Sequence, residues 1–300
     1  MNTITPRDIA DRLSLKKYPR SWRGDCPSCG YARSFALKAT RTGSASVFCS
    51  NGCERESLTE TVQKVMGGEL SPSRPRYDET TVNSKASRQE AALRLWGSAL
   101  PLDRPAAAPG VAYLRARGIE YLAGSSALRF RSDTRHPEGG ALAALIALVS
   151  DTDGKPVAAH RTYLTRDGSA KARVTPQKAS LGPVWGGAVR LVAASEAFPL
   201  VIGEGIESSA AAGLLMGLPA WAALSAGNLA AGLVLPPEVR RIVIAADHDL
   251  PVKTGARPGQ DAAEAAARRW RREGRRVEIA TPNTPGHDFA DVIIGHPHGR

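Results

Sequence analysis

Long hydrophobic runs are missing from this 300-residue chain; the longest, Ala141 to Val149, has nine residues. A bilayer span takes about 20 and a secretory leader sets its apolar stretch behind a basic start. Neither is expected, and the expected compartment is the cytoplasm. Cysteine is nearly absent: there are four, none beyond residue 53. In a reducing compartment so local a cluster reads as a metal site before a disulfide framework. No internal repeat is present, and no Gly-x-x-x-x-Gly-Lys-Ser/Thr phosphate loop, so nothing marks an NTP-driven motor. With 42% hydrophobic and 23% charged residues, wholesale disorder is excluded as well.

The net charge of +11 suggests a polyanionic partner, and its position sharpens the suggestion. Residues 1–65 carry 11 Lys/Arg against 6 Asp/Glu, whereas residues 201–300 carry 11 of each. A basic front and a balanced back with clustered acids fit a protein that holds nucleic acid with one part and a metal with another.

Thr5 followed by Pro6, with Ile9 and Leu13 four apart, predicts a short helix. Leu58, Val62, Val65 and Met66 share a face before Gly67-Gly68, which predicts a second helix with a glycine stop. Residues 1–66 are thus expected to form one domain and 67–88, rich in Gly, Ser, Pro and charge, a linker. Residues 89–197 form a mixed α/β segment in this reading. Two helices, 91–100 and 110–117, precede two apolar runs around Asp151-Thr-Asp-Gly154, the pattern of a β-hairpin. From residue 198 strands and helices alternate: strands 200–203, 219–224, 241–246 and 277–280, helices 206–216 and 261–273, a small parallel α/β sheet.

Cys26-Pro-Ser-Cys29 and Cys49-Ser-Asn-Gly-Cys53 supply two chelating pairs separated by nineteen residues. Four thiolates suit tetrahedral zinc, and a closed four-cysteine site leaves no position for substrate, so its role is folding and presentation. Gly30 and Gly52 suit the knuckles, and the stretch from Phe35 to Phe48 suits strands. Arg20, Trp22, Arg23, Tyr31, Arg33, Lys38 and Arg41 surround the site with positive charge and aromatic faces able to hold a single strand. Filling the core of a tiny domain is the competing role for Trp22 and Tyr31.

The strand at 200–203 runs into Glu204-Gly-Ile-Glu207, and that at 241–246 ends in Asp247-His248-Asp249. Ligands of open α/β sheets bind at such carboxyl ends. Crowded carboxylates repel unless a cation neutralises them, and Mg²⁺ takes one or two carboxylates with substrate phosphates completing its shell. Asp288 and Asp291 follow the last strand and either close the same site or cap a last helix. Asp261-Ala-Ala-Glu264 reads as a capping box opening its helix, His248 as an ordinary loop side chain, and Arg268, Arg269, Arg271, Arg272, Arg275 and Arg276 as a solvated helix face.

Glu204-Gly205, Asp247-x-Asp249 and the late Asp288 resemble the Toprim domain of bacterial and phage primases, topoisomerases and related nucleases. Gly203-Glu-Gly-Ile-Glu-Ser-Ser-Ala, Ala222-Ala-Leu-Ser-Ala-Gly-Asn228 and His287-Asp-Phe-Ala-Asp291 are similar to the phage and mobile-element primase subfamily. Ser21-Trp-Arg-Gly-Asp-Cys-Pro-Ser-Cys-Gly30 is similar to the zinc-binding domain at the N-terminus of those primases. The segments His160 to Lys171 and Leu181 to Leu191 resemble what precedes Toprim there.

The resemblance implies an N-terminal zinc ribbon, a middle primase-like subdomain and a C-terminal Toprim sheet. It implies a DNA primase that makes short RNA primers on single-stranded DNA from NTPs. Glu204, Asp247, Asp249 and Asp288 are then the ligands of Mg²⁺ or Mn²⁺, with Glu204 also available for acid/base work. Arg161, Lys171 and Lys178 are then nucleotide or template contacts, and Trp22 and Arg23 template contacts. Where many primases have an aspartate four residues after the Glu-Gly glutamate, this chain has Ser208, with Glu207 just before it. No helicase motor follows the Toprim region, so a helicase is expected as a separate chain. A noncatalytic nucleic-acid clamp and a Toprim nuclease are the alternatives.

Overall fold

The computed structural model describes all residues except 1–3, 31–32, 41–43, 50–52, 54, 68–78, 252–254 and 296–300, and for 79–85 the backbone only. Tyr31, Arg41, Gly52 and residues 68–78 of the stretch read as a linker lie outside the described residues.

Pro6 opens α1 (Pro6–Arg12), and the Thr5 hydroxyl accepts from the Asp8 N–H at 3.2 Å while the Asp8 carboxylate accepts from the Thr5 N–H at 2.7 Å. Four antiparallel strands follow in chain order, β1 (Lys16–Tyr18), β2 (Ser21–Gly24), β3 (Phe35–Ala39) and β4 (Ala45–Cys49), then α2 (Arg55–Met66). Strand alternation turns Phe35, Leu37 and Val47 inward, against Ile9 of α1 and Leu58 and Val62 of α2. So small a core gains from a staple, and the four cysteines cluster beside it.

The second sheet is antiparallel and also in chain order: β5 (Leu100–Pro101), β6 (Leu128–Arg135), β7 (Ala141–Ser150), β8 (Pro156–Tyr163) and β9 (Lys178–Leu181). The hairpin expected at Asp151 joins β7 to β8; its carboxylate accepts from the N–H groups of Asp153 and Lys155 at 3.0 and 2.8 Å. Two helices accompany this sheet, α3 (Glu79–Gly97), packed against β8, and α4 (Ala108–Ala116). Helix α3 takes in residues 79–88 of the stretch read as a linker, because no Gly or Pro occurs within 79–88.

The third sheet contains β10 (Val189–Arg190), β11 (Leu200–Gly203), β12 (Ala220–Ala222), β13 (Arg241–Ala245) and β14 (Arg276–Ala280) in the order β10-β12-β11-β13-β14. Four strands are parallel and β10 is an antiparallel edge. Its helices are α5 (Ile206–Met216), α6 (Pro258–Arg272) and α7 (Phe289–Ile294). Trp270 and the alanines of α6 fill one core with Ile202, Ile244 and Trp221. On the other face Val201, Ala211 and Phe289 pack in one cluster with Leu145 and Val149 of the antiparallel sheet.

The ribbon and the body meet at Glu138, in the turn between β6 and β7. Its carboxylate accepts from the Arg20 N–H at 2.9 Å, the Ser21 hydroxyl at 2.7 Å and the Arg23 guanidinium at 3.1 Å. Burial raises its proton affinity, but these three donors outweigh it and hold the carboxyl below the usual range. Among the described residues no helix is long and apolar enough to cross a membrane.

Candidate active site and zinc centre

The four cysteine sulfurs lie within 4.8 Å of one another, Cys26 to Cys53 at 3.9 Å and Cys29 to Cys49 at 3.8 Å. Zinc–sulfur bonds of about 2.3 Å in a tetrahedron separate sulfurs by about 3.8 Å, so the cage fits zinc and is far too open for disulfides. The neighbouring Cys29 and Cys49 thiols, with burial, push the Cys26 thiol well up; burial and the Cys49 charge push Cys53 up to about 12. Four thiols this close do not ionise together unless a cation takes the charge.

The acidic site is built at the carboxyl ends of β11 and β13, which are hydrogen-bonded neighbours. Glu204 and Asp247 each stand just beyond a strand end, and Asp249 two residues on. Burial first, then the charges of Glu204, Asp288 and Asp249, push the Asp247 carboxyl up to about 8. Three carboxylates thus act on Asp247 by their charge, and together with it they form a donor set of the kind that suits a hard divalent cation. They are looser than the thiol cage, the only described group of three or more such side chains whose ligand atoms converge within 4.8 Å.

Loop contacts bring Asp288 in. The His248 N–H donates to the His287 carbonyl at 3.0 Å, the Gly286 N–H donates to the His248 carbonyl at 2.6 Å, and the His248 ring Nδ1 lies 2.8 Å from the Pro282 carbonyl. His248 thus ties the two acidic loops together, a role its sequence position does not announce. Asp288 also caps α7: one carboxylate oxygen accepts from the Asp291 N–H at 2.9 Å, and Asp291 returns the bond at 3.0 Å. Both readings of this pair meet in Asp288, which caps a helix and charges the site, while Asp291 is buried in the cap.

Ser208 donates its hydroxyl to Asp247 at 3.1 Å, so a neutral donor stands where many primases carry an acid. Glu207 is buried elsewhere, accepting from Tyr113 at 2.6 Å, Lys178 at 2.9 Å and Lys171 at 3.0 Å. The two lysines and Tyr113 outweigh burial and keep Glu207 ionised, well below the usual carboxylate range. Burial lowers Lys171 to about 8; for Lys178 the attraction of Glu207 and of Glu204 outweighs burial, and its pKa is raised. Lys178 therefore stands between the ion-pair cluster and the acidic site.

Other sequence candidates are committed differently. The three guanidinium nitrogens of Arg161 each donate to a carbonyl, of Ala179, Arg135 and Ser180, at 3.2 Å. Arg23 is bound to Glu138 and only 15% exposed. Trp22 packs on the ribbon core with the Lys17 ammonium 3.4 Å from its ring. The arginines from 268 to 276 are not simply a solvated helix face; Arg269 lies in α6 and Arg275 just ahead of β14. Arg269 donates to the carbonyls of Leu229, Ala230 and Leu233, and Arg275 to those of Leu235, Pro236 and Val239. A loop without strand partners needs such donors for its carbonyls.

Helix α6 begins at Pro258, three residues earlier than its acidic pattern predicts. Asp261 therefore lies inside the first turn, reaching back to the Arg257 N–H at 3.0 Å, and is not the N-cap. The earlier start presents the Gly259 N–H to Asp249 at 2.6 Å. A Cβ on Gly259 would lie 2.7 Å from the same Asp249 oxygen, so only glycine permits this approach. Gly259→Ala is expected to displace Asp249 and raise the Mg²⁺ concentration for half-maximal activity 10–100-fold, at little change in melting temperature. An unchanged Mg²⁺ dependence removes Asp249 from the metal site.

Residues 199–297 match the family described as Toprim domain, and residues 86–191 match a domain of unknown function (DUF7146). The chain thus carries a Toprim domain, and the acidic cluster described above lies within the matched residues. Its fold is mixed α/β, with a cysteine cluster near the N-terminus consistent with a zinc ribbon. No curated protein matches the sequence significantly. Among solved structures, the chain is similar to a DnaG primase catalytic domain bound to single-stranded DNA (14% identity, TM-score 0.47, 72% of this chain and 79% of that one). It is also similar to the E. coli primase catalytic core (15%, 0.40, 72% and 76%). A third is the primase fragment of the bacteriophage T7 primase-helicase protein (13%, 0.40, 92% and 96%).

Proposed function

We propose that this protein is a DNA primase that synthesises short RNA primers on single-stranded DNA by metal-dependent nucleotidyl transfer, in the replication of a phage or integrated element. The observation that carries the reading is the set of carboxylates at adjacent parallel strand ends of a Toprim domain, with Asp247 pushed up to about 8 by burial and its acidic neighbours. Glu204, Asp247, Asp249 and Asp288 would hold Mg²⁺ or Mn²⁺. Such a metal, when bound, offsets phosphate charge and orients the reacting oxygens.

The protein's own groups then divide the work. Ser208 and the Gly259 N–H hold Asp247 and Asp249 in place. Lys171 and Lys178, fixed by Glu207, set two cations beside the acidic site, where a triphosphate needs them. The ribbon, stapled by Cys26, Cys29, Cys49 and Cys53 and docked through Glu138, supplies a basic surface for template, with Lys16 and Lys38 on exposed strand positions. Arg161, Arg23 and Trp22 support that architecture more than they offer free faces.

The test is primer synthesis by the purified chain on single-stranded DNA of varied sequence with labelled NTPs and Mg²⁺ or Mn²⁺. Short labelled products are expected. DNA binding without products across templates and metals, with a helicase supplied, makes the chain a clamp. Cleavage of labelled DNA without NTPs makes it a nuclease.

A further inference from the structure

Trp185 is 58% exposed, although most large aromatic side chains of the body are buried or half-buried. An exposed tryptophan on a loose loop would be unremarkable, but this one is held. Asn228, wholly buried, accepts from the Gly186 N–H at 2.9 Å and donates to the carbonyls of Gly187 at 2.9 Å and Ala223 at 2.8 Å. The Val234 N–H donates to the Gly186 carbonyl at 3.2 Å.

Beneath the ring is Gly232, where a Cβ would come within 2.8 Å of the indole and would meet the Asn228 side-chain oxygen Oδ1. The indole therefore rests on bare backbone. That backbone is itself fixed from below by Arg269, which takes the carbonyls of Leu229, Ala230 and Leu233. Asn228, Gly232 and Arg269 together hold one aromatic face toward solvent with little freedom to lose on binding.

Strand register places it. Val189 of β10 lies opposite Ala222 of β12 in antiparallel register, so the chain from Gly187 back to Trp185 runs past the carboxyl end of β12. That is the end where β11 delivers Glu204, and the Leu224 N–H donates to the Glu204 carbonyl at 2.7 Å. The Gly187 N–H donates to the Val184 carbonyl at 3.1 Å, so Trp185 sits on the turn that leads into β10, and β10 stands two strands, roughly 10 Å, from β11. Phosphates held at the carboxylates and lysines would leave a nucleobase facing this rim.

We propose that Trp185 is a preorganised stacking platform for a nucleobase, that of an incoming nucleotide or of the template strand, at the rim of the acidic site. The inference builds on the nucleotidyl-transfer reading for the position of the phosphates, but its test needs no turnover. Trp185→Phe, Trp185→Leu and Trp185→Ala are made in the full chain with Zn²⁺ and Mg²⁺, and their melting temperatures are compared. Binding is read by anisotropy of a fluorescent ATP analogue competed with ATP or with tripolyphosphate, and of a labelled oligo-dT.

Base–aromatic stacking predicts about tenfold weaker binding in the Ala variant, nearly the same loss in the Leu variant, which keeps apolar bulk on Gly232, and affinity within about threefold of the parent for Phe. Tripolyphosphate affinity stays constant throughout. Loss confined to ATP names the incoming nucleotide as occupant, and loss confined to oligo-dT the template. Unchanged affinity for both, or equal loss for ATP and tripolyphosphate, overturns the proposal. A parent chain that binds nucleotide through Trp185 yet makes no primers sinks only the primase reading; primers with no Trp185 dependence sink only the platform.

Discussion

Asp247→Asn and Asp249→Asn are each expected to lower primer synthesis at least ~1,000-fold, about 4 kcal/mol of transition-state stabilisation, while Asp247→Asn raises the melting temperature of the metal-free protein. The opposite signs share one cause. Asp247 has a folded pKa pushed up to about 8 by burial and by Glu204, Asp288 and Asp249, well above the ordinary aspartate value near 4. Below pH 4 the group is protonated whether the chain is folded or not. As pH rises from about 4 to about 8, ionisation favours the unfolded chain, and stability falls until the folded carboxyl ionises too. The asparagine variant lacks that decline, so its advantage should be absent at pH 4, grow toward pH 8 and shrink when Mg²⁺ is added. A variant with parental activity removes Asp247 from the metal site. Equal melting temperatures at pH 8 mean that its carboxylate is not held against repulsion.

The second large effect concerns the ribbon. Removing zinc, with a chelator or by Cys49→Ser, should unfold residues 16–66, because their core of Phe35, Leu37, Val47, Leu58 and Val62 is too small to persist alone. The expected signature is complete amide exchange in β1 to β4, with the parallel sheet and its melting transition retained. Since Cys53 is pushed up to about 12 in the metal-free state, zinc uptake must release protons, and affinity should rise steeply with pH. A ribbon that stays protected from exchange without metal would show that packing, not coordination, holds it together.

The acidic site could be read from the chain because two physical signals coincide there. Apolar strands such as Leu200–Gly203 and Arg241–Ala245 end abruptly in carboxylates, and the order strand, helix, strand fixes those ends to one side of a parallel sheet. What surrounds the acids was harder to see. Glu207 stands only three residues after Glu204 in the sequence, but the helical turn after β11 aims it at Tyr113, Lys171 and Lys178, contributed by distant segments.

Arginines are the least legible, since a guanidinium that neutralises phosphate and one that collects carbonyls look alike in sequence. Arg161, Arg269 and Arg275 are of the second kind. Gly259 did leave a trace, in Pro258-Gly259 just ahead of the alanine-rich helix. Reading Asp261 as the helix start hid it, for the capping-box pattern and an interior first-turn acid differ by only three residues.

Strand β10 has a consequence for inheritance. Residues 189–190 belong to the segment matching DUF7146, yet they are hydrogen-bonded to β12 and form an edge of the Toprim sheet. A gene fragment beginning at residue 199 would encode a sheet with β12 unpaired along that edge and Val201 and Ala211 stripped of Leu145 and Val149. Such a fragment would be sticky, prone to pair with whatever strand it met. A crossover between residues 191 and 199 would therefore cut through one sheet and one core, whatever the two segments are joined to.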